Sequence, residues 1–379
     1  MSNESNRNAS AVNPSAQPLF TSFSIGKLTL PNRIVMAPMT RSFSPNGMPG
    51  PDVAQYYRRR AENGVGLIIT EGTVINHPSS ADNPNVPHFF GPALEGWSTV
   101  VKQVHAAGGL IFPQLWHVGM TRHVGSPPNP ESLPIGPSGL DLSGKQVTAP
   151  MTESDILSVI EAFAQAAADA KRLGFDGIEI HGAHGYLIDQ FFWKQTNRRS
   201  DRYGGQSFEG RTRFAAEIIR AVRNAIGPDF PIALRISQWK TSNYTAKLTE
   251  TPEQLASFLE PLTAAGVNIY HCSTRRYWEP EFEGSDLNLA GWVKALTGRP
   301  TITVGSVGLN EELMRSFSPG HIAQVTRLDG LIERLERNEF DLVAVGRSLL
   351  ADPEWTMKIR KGRFDELKPF TVEALRTLY

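Results

Sequence analysis

Eight short apolar runs along this chain end in glycine, proline or a polar residue and alternate with stretches of helical periodicity. The runs fall at 33–38, 66–72, 110–116, 175–181, 231–237, 267–273, 300–305 and 341–346. Helical spacing lies between them, at 53–63, 94–107, 154–173, 208–226, 252–265, 287–296 and 328–337. Apolar runs without a polar face suit strands covered on both sides, as in a parallel sheet wrapped by helices. Eight βα units in unbroken rhythm predict an α/β chain folded as a single (β/α)8 TIM barrel over 19–379, rather than a doubly wound sheet. FTSFSIGKLTLP (20–31) alternates around Gly26-Lys27 and predicts an N-terminal β-hairpin. The polar stretch 1–18 reads as a disordered tail. Helix starts are marked by a capping box at Thr152-Glu153-Ser154-Asp155 and by Asp352 before Pro353.

A barrel keeps its chemistry at the C-terminal ends of its strands, so those ends are where to look. The fourth run breaks at Gly182 and presents His181, His184 and Tyr186 within six residues. Two imidazoles and a phenol at that address face a ligand. The first strand ends in Pro38, Met39 and Thr40, the second in Gly72, and the third carries Gln114 and Trp116. TVGSVG (303–308) and AVGR (344–347) end the last two strands, where barrels commonly bind phosphate; Gly305, Ser306, Gly346 and Arg347 are the candidates. Arg235, in ALRIS, needs an anionic or accepting partner, either a ligand or Glu179 of GIEIH. Long loops follow the third strand (117–151, rich in proline and glycine) and the sixth (274–286). The second carries Tyr277, Trp278 and Phe282, and Tyr277 and Trp278 are expected to line the substrate pocket beside Trp116.

Several function classes lose support. Lys+Arg and Asp+Glu are equal at 38 each, so there is no basic footprint for nucleic acid. No apolar run reaches membrane-spanning length, and 1–18 lacks the order of a secretory signal, so a cytoplasmic location is expected. The one cysteine, Cys272, cannot form an intramolecular disulfide or a thiolate metal site. His181 and His184 could ligate a metal in a barrel hydrolase, but the mouth offers no third strand-end histidine and few carboxylates; no metal is expected. GLDLSGK (139–145) has phosphate-loop spacing, but Gln146 replaces the required hydroxyl residue.

VMAPMTR (35–41), ITEG (69–72), PQLWHVG (113–119), EIHGAHGYLIDQF (179–191), DRYGG (201–205) and LRIS (234–237) together resemble the Old Yellow Enzyme family. The resemblance, over roughly 19–363, implies an FMN barrel that takes electrons from NADPH or NADH. It implies reduction of activated C=C bonds in enones or nitroalkenes by ping-pong hydride transfer from flavin N5. Pro38, Met39, Thr40, Gly72, Gln114 and Arg235 would then hold the isoalloxazine, and Gly305, Ser306, Gly346 and Arg347 the phosphate. His181 and His184 would donate to the substrate oxygen, and Tyr186 would protonate Cα. A monomer or homodimer acting on small molecules is implied; a flavin-binding sensor without turnover is the non-enzyme alternative. The closing segment FDELKPFTVEALRTLY departs from a tyrosine-rich ending, so pocket closure is expected of loop 274–286.

Overall fold

The computed structural model describes residues 12–318 and 320–379. Strands β1 (Phe23–Ile25) and β2 (Leu28–Leu30) form the expected antiparallel hairpin, turning at Gly26 with φ 59°. The following elements are β3 (Ile34–Met36), α1 (Pro51–Glu62), β4 (Leu67–Val74), α2 (Ala93–Ala106), β5 (Leu110–Trp116) and α3 (Glu153–Leu173). Then come β6 (Ile178–His181), α4 (Leu187–Phe192), α5 (Phe208–Ile226), β7 (Ile232–Ser237), α6 (Pro252–Ala265) and β8 (Ile269–Ser273). The chain finishes with α7 (Leu289–Thr297), β9 (Thr301–Val304), α8 (Asp329–Glu336), β10 (Leu342–Val345), α9 (Arg347–Ala351) and α10 (Trp355–Arg360).

Strands β3 to β10 close in sequence order, with β10 pairing back to β3 in parallel register. The barrel is therefore a (β/α)8 barrel. Every residue of β4, β7 and β8 is buried, which is why each opens on an apolar run with no solvent-facing alternation before its polar residues. Alternate residues serve two cores. Ile34 and Met36 pack outward against the helices, whereas Val35, Leu67, Ile69, Phe112, Ile269 and Ile302 fill the barrel's interior. Ile25 and Leu30 join that inner cluster, so the hairpin plugs the N-terminal end and leaves the C-terminal end open to a ligand. The capping box is present in full: Asp155 N donates to Thr152 Oγ1, and Thr152 N to Asp155 Oδ2.

Some expectations need correction. Of the tail read over 1–18, residues 1–11 lie outside the described residues; Pro14–Phe20 form a 3-10 helix that buries Ala16 and Leu19. Asn13 caps it, and Pro14 supplies the φ its first turn needs. Helices α4, α9 and α10 have only six, five and six residues, too few to display a period. The last begins at Trp355, not at Pro353; the Asp352 carboxylate instead accepts from Glu354 N and pairs with Lys358. Loop 117–151 is drawn together by the buried Arg122 guanidinium, which donates to the carbonyls of Ala81, Ser126, Pro127, Asn129 and Ser132. No helix among the described residues is long and apolar enough to cross a membrane.

Candidate active site

A cavity of about 390 Å³ opens at the C-terminal mouth of the barrel, within the size range of small-molecule sites. Its floor is polar and buried. Gln114 Nε2 donates to Glu179 Oε1 at 2.8 Å, and His271 Nδ1 lies 2.7 Å from Glu179 Oε2. Burial alone would push the Glu179 carboxyl up, but His271, Arg235 and Gln114 outweigh it and hold the group below its ordinary value. Both carboxylate oxygens are thus taken, and Arg235 makes no bond to them. Its Nη2 reaches only Ser273 Oγ, at 3.3 Å, and its Nε has no partner. The internal pair between Arg235 and Glu179 does not form, because register sets Glu179 beside Ala233 and Arg235 beside His181, one layer nearer the mouth. A buried guanidinium with an idle donor calls for an accepting ligand.

Above Arg235 stand the three residues of the fourth strand end. The His181 and His184 rings lie 5.1 Å apart at 82°, and the Tyr186 ring is 5.0 Å from His181. Burial, then the charge of Arg235, holds both imidazoles well below their ordinary value, so they are neutral. The fixed guanidinium charge of Arg235 beside them opposes a metal cation. Among the described residues no group of three or more His, Cys, Asp or Glu side chains could hold one. Burial, reinforced by Asp82, pushes the Tyr186 phenol up to about 12, so it keeps its proton. Trp116 stacks beside His181 and meets Tyr186 edge-on at 4.8 Å.

His184 is held in the left-handed region, φ 67°, which an L-residue leaves unless its surroundings fix it. Its N–H donates to Ser237 Oγ and its carbonyl accepts from Thr241 N. Around it a fully buried ion pair, Lys240 Nζ to Asp189 Oδ1 at 2.7 Å, ties the segment after β7 to α4. Asp189 Oδ2 also accepts from Gly185 N.

Pro38, Met39, Thr40, Gln114 and Arg235 all line the cavity, as do Gly305, Ser306, Gly346 and Arg347. Ser306 has φ 52° and Gly305 φ 144°, a turn that folds the end of β9 toward the cavity. The Arg347 guanidinium is already occupied by Ser306 Oγ, Ser316 Oγ and the carbonyls of Glu311 and Glu312. Gly72 is not on the wall. A Cβ there would sit 2.6 Å from Trp116 Cε3 and 3.3 Å from Gln114 Oε1, so glycine is what lets those two side chains lie over the strand.

Tyr277 and Trp278 also stay off the wall, which corrects the pocket expected of them. Tyr277 is buried in the outer core, its N bonded to Gly305 O and its carbonyl accepting from Asn288 Nδ2. Trp278 is 37% exposed and its carbonyl accepts from Arg334 of α8. Anchored by Asn288 and Arg334, loop 274–286 folds back on the helices, and only Thr274 and Arg275 reach the cavity. Closure falls instead to Trp239 and Tyr244 after β7 and to Phe370 and Leu375 of the closing segment. That segment is pinned through main-chain oxygens. Arg41 Nη2 takes those of Ala374, Leu375 and Thr377, Arg59 that of Leu378, and Arg60 that of Tyr379. Trp239, Tyr244 and Ser273 follow or end barrel strands and were open to the strand-end rule; Phe370 and Leu375 carry no such signal.

A model of the NADH:flavin oxidoreductase / NADH oxidase family matches residues 18–366. The chain is 42% identical over 364 residues to 12-oxophytodienoate reductase 7 of Oryza sativa subsp. japonica, covering 90% of this chain and 88% of that relative. It is 37% identical over 363 residues to the NADH oxidase of Thermoanaerobacter brockii; the match takes in 92% of this chain but 52% of the oxidase, about half its length. Among solved structures, morphinone reductase superposes with a TM-score of 0.73 at 32% identity, over 91% of this chain and 89% of that one. A morphinone reductase in complex with tetrahydroNAD gives 0.74 at 31%, over 91% and 90%.

Proposed function

Because the chain belongs to the Old Yellow Enzyme family of NADH:flavin oxidoreductases, we propose that it is an FMN-dependent ene-reductase for α,β-unsaturated carbonyl or nitro compounds, with NADH or NADPH as electron source. The carrying observation is the pair of neutral imidazoles and the protonated phenol set over an incompletely partnered, buried Arg235. Pro38, Met39, Thr40, Gln114 and Arg235 would hold the isoalloxazine, with Gly72 beneath Trp116 and Gln114. Gly305, Ser306, Gly346 and Arg347 would take the phosphate, which would displace the loop carbonyls now bonded to Arg347. When bound, FMN supplies the hydride that the substrate's β-carbon receives.

The residues of the chain do the rest. His181 and His184 donate hydrogen bonds to the substrate oxygen, where negative charge grows, and so bind the transition state more tightly than the ground state. Their burial removes competing water and strengthens each bond. Tyr186 gives its proton to the α-carbon as general acid; a phenol pushed up to about 12 is protonated at any physiological pH. Reductant and acceptor would each meet the flavin in the cavity beside His181 and His184, and use of one place in turn is the basis for ping-pong kinetics. Similarity to a reductase in complex with tetrahydroNAD supports a nicotinamide reductant.

The test is a visible titration of the FMN-loaded protein with a para-substituted phenol. A long-wavelength charge-transfer band is expected in the parent protein. It should vanish in His181→Ala/His184→Ala, with FMN still bound. Phenol affinity that survives in that variant removes the donor role and the reading built on it.

A further inference from the structure

Ser273, the last residue of β8, has its hydroxyl between two site residues that sequence reading never connected. His184 Nε2 lies 2.8 Å from Ser273 Oγ, and Arg235 Nη2 lies 3.3 Å from the same oxygen. The residue is buried, and these two side chains are its hydroxyl's partners within the protein. A guanidinium can only donate, and its bond fills one lone pair of the hydroxyl. The Ser273 proton then needs an acceptor, and His184 Nε2 is the partner at hydrogen-bond distance. One arrangement satisfies all three groups: Arg235 donates to Ser273, Ser273 donates to His184 Nε2, and the His184 proton sits on Nδ1. Among the described residues Nδ1 has no hydrogen-bond partner in the protein, and His184 lines the cavity. His181 has the opposite tautomer, because its Nδ1 accepts from Ala183 N at 3.3 Å and leaves Nε2 to carry the proton.

Trp239 makes the arrangement rigid. Its indole stacks on the His184 ring at 4.3 Å and 22°, and its Nε1 donates to the Ser273 carbonyl at 3.1 Å. Its own carbonyl accepts from Ser237 Oγ, the atom that also takes His184 N–H. The imidazole is therefore fixed in plane by the indole and in protonation by the serine.

We propose that Ser273 is a positioning residue that relays the hydrogen-bond polarity of Arg235 to His184, fixing its Nδ1–H tautomer so that Nδ1 is the donor presented to the substrate oxygen. This rests on the donor role of His184 given above. The relay also links the cation assigned to the isoalloxazine with a donor assigned to the substrate, through one hydroxyl.

The experiment is long-range proton–nitrogen NMR of the FMN-loaded protein with ring-labelled histidine, His184 being identified by the signals lost in His184→Gln. The Nδ1–H pattern is expected for His184 in the parent protein. Ser273→Ala should move it toward Nε2–H and weaken para-substituted phenol binding by about 3- to 10-fold, the span of one hydrogen bond. Ser273→Thr, which keeps the hydroxyl, should restore both. An Nε2–H pattern in the parent protein, or no change in Ser273→Ala, overturns the relay. If phenol binding still disappears in His181→Ala/His184→Ala, that failure belongs to the relay alone and the reductase reading stands. The parent spectrum decides the matter even if Ser273→Ala does not fold.

Discussion

Replacing Lys240 with methionine tests whether the buried ion pair behind the site is structural support or mere filler. Lys240 and Asp189 are both fully buried, and burial pushes each toward its neutral form against the attraction of the other. Such a pair adds little over an apolar replacement, but removing one member strands the other, at a cost of about 3–5 kcal/mol. For a chain of 379 residues the unfolding entropy is about 0.8 kcal/mol/K, so Lys240→Met should lower the melting temperature by about 4–6 °C. The loss must depend on pH. Asp189 already sits above its ordinary value in the fold, and without Lys240 it rises further. A carboxyl raised by folding binds its proton more readily in the native state, so the variant gains stability as pH falls through the folded value. The deficit is therefore largest at neutral pH and shrinks on acidification. Lys240→Met/Asp189→Asn removes both charges and keeps an acceptor for Gly185 N, so it should recover more than half of the loss. Urea unfolding at fixed FMN between pH 5 and 8 measures all three proteins. A loss below about 1 kcal/mol, or one independent of pH, refutes the argument, since neither fits a stranded buried charge.

Other expectations follow from the site. Arg235→Leu removes the idle buried donor and should weaken FMN binding at least about tenfold by flavin fluorescence titration; unchanged affinity means the guanidinium serves only Ser273. Tyr186→Phe should slow alkene reduction by about a hundredfold or more in stopped flow while leaving flavin reduction by NAD(P)H near its parent rate. With the phenol at about 12, the parent alkene step should stay flat from pH 6 to 10; a fall centred near pH 8 would assign the proton to another group. Tyr277→Ala and Trp278→Ala should leave phenol affinity within about twofold, because both side chains stay off the cavity wall; a larger change would put loop 274–286 back over the mouth.

The barrel was legible because its strands are covered on both faces. That produces apolar runs whose ends can be read directly: β5, α5 and α6 begin and end where the run or the period does. Helices of five or six residues carry no period and stayed hidden. At the site, position along a strand placed His181, His184, Tyr186 and Arg235 at the cavity, because polar groups at the mouth end of a buried run commonly face a ligand. What lies beside it depended on stagger. Alternation correctly turned both Glu179 and Arg235 inward, yet register separates them by one layer, and Glu179 goes to His271 and Gln114. Loop direction was equally hidden. The aromatics of 274–286 signalled burial correctly for Tyr277, but which side of the loop is buried is decided by Asn288 and Arg334. The resemblance identified the family, whereas Trp239 and Ser273, which pack against the His184 ring, became visible only in three dimensions.

The closing segment holds its place by an unusual choice of acceptors. Arg41, Arg59 and Arg60 grip the main-chain oxygens of Ala374, Leu375, Thr377, Leu378 and Tyr379. Every residue type offers the same oxygen, so this anchorage is blind to the side chains it carries. Leu375, partly buried at the cavity, can therefore be exchanged for larger, smaller or polar residues while the backbone stays docked against the barrel, whereas Phe370 is fully buried in the core and cannot. Substrate preference becomes separable from folding at position 375. For evolution that is a place where new acceptors can be tried at little risk to the scaffold, and for engineering it marks 375 as the first position to randomise.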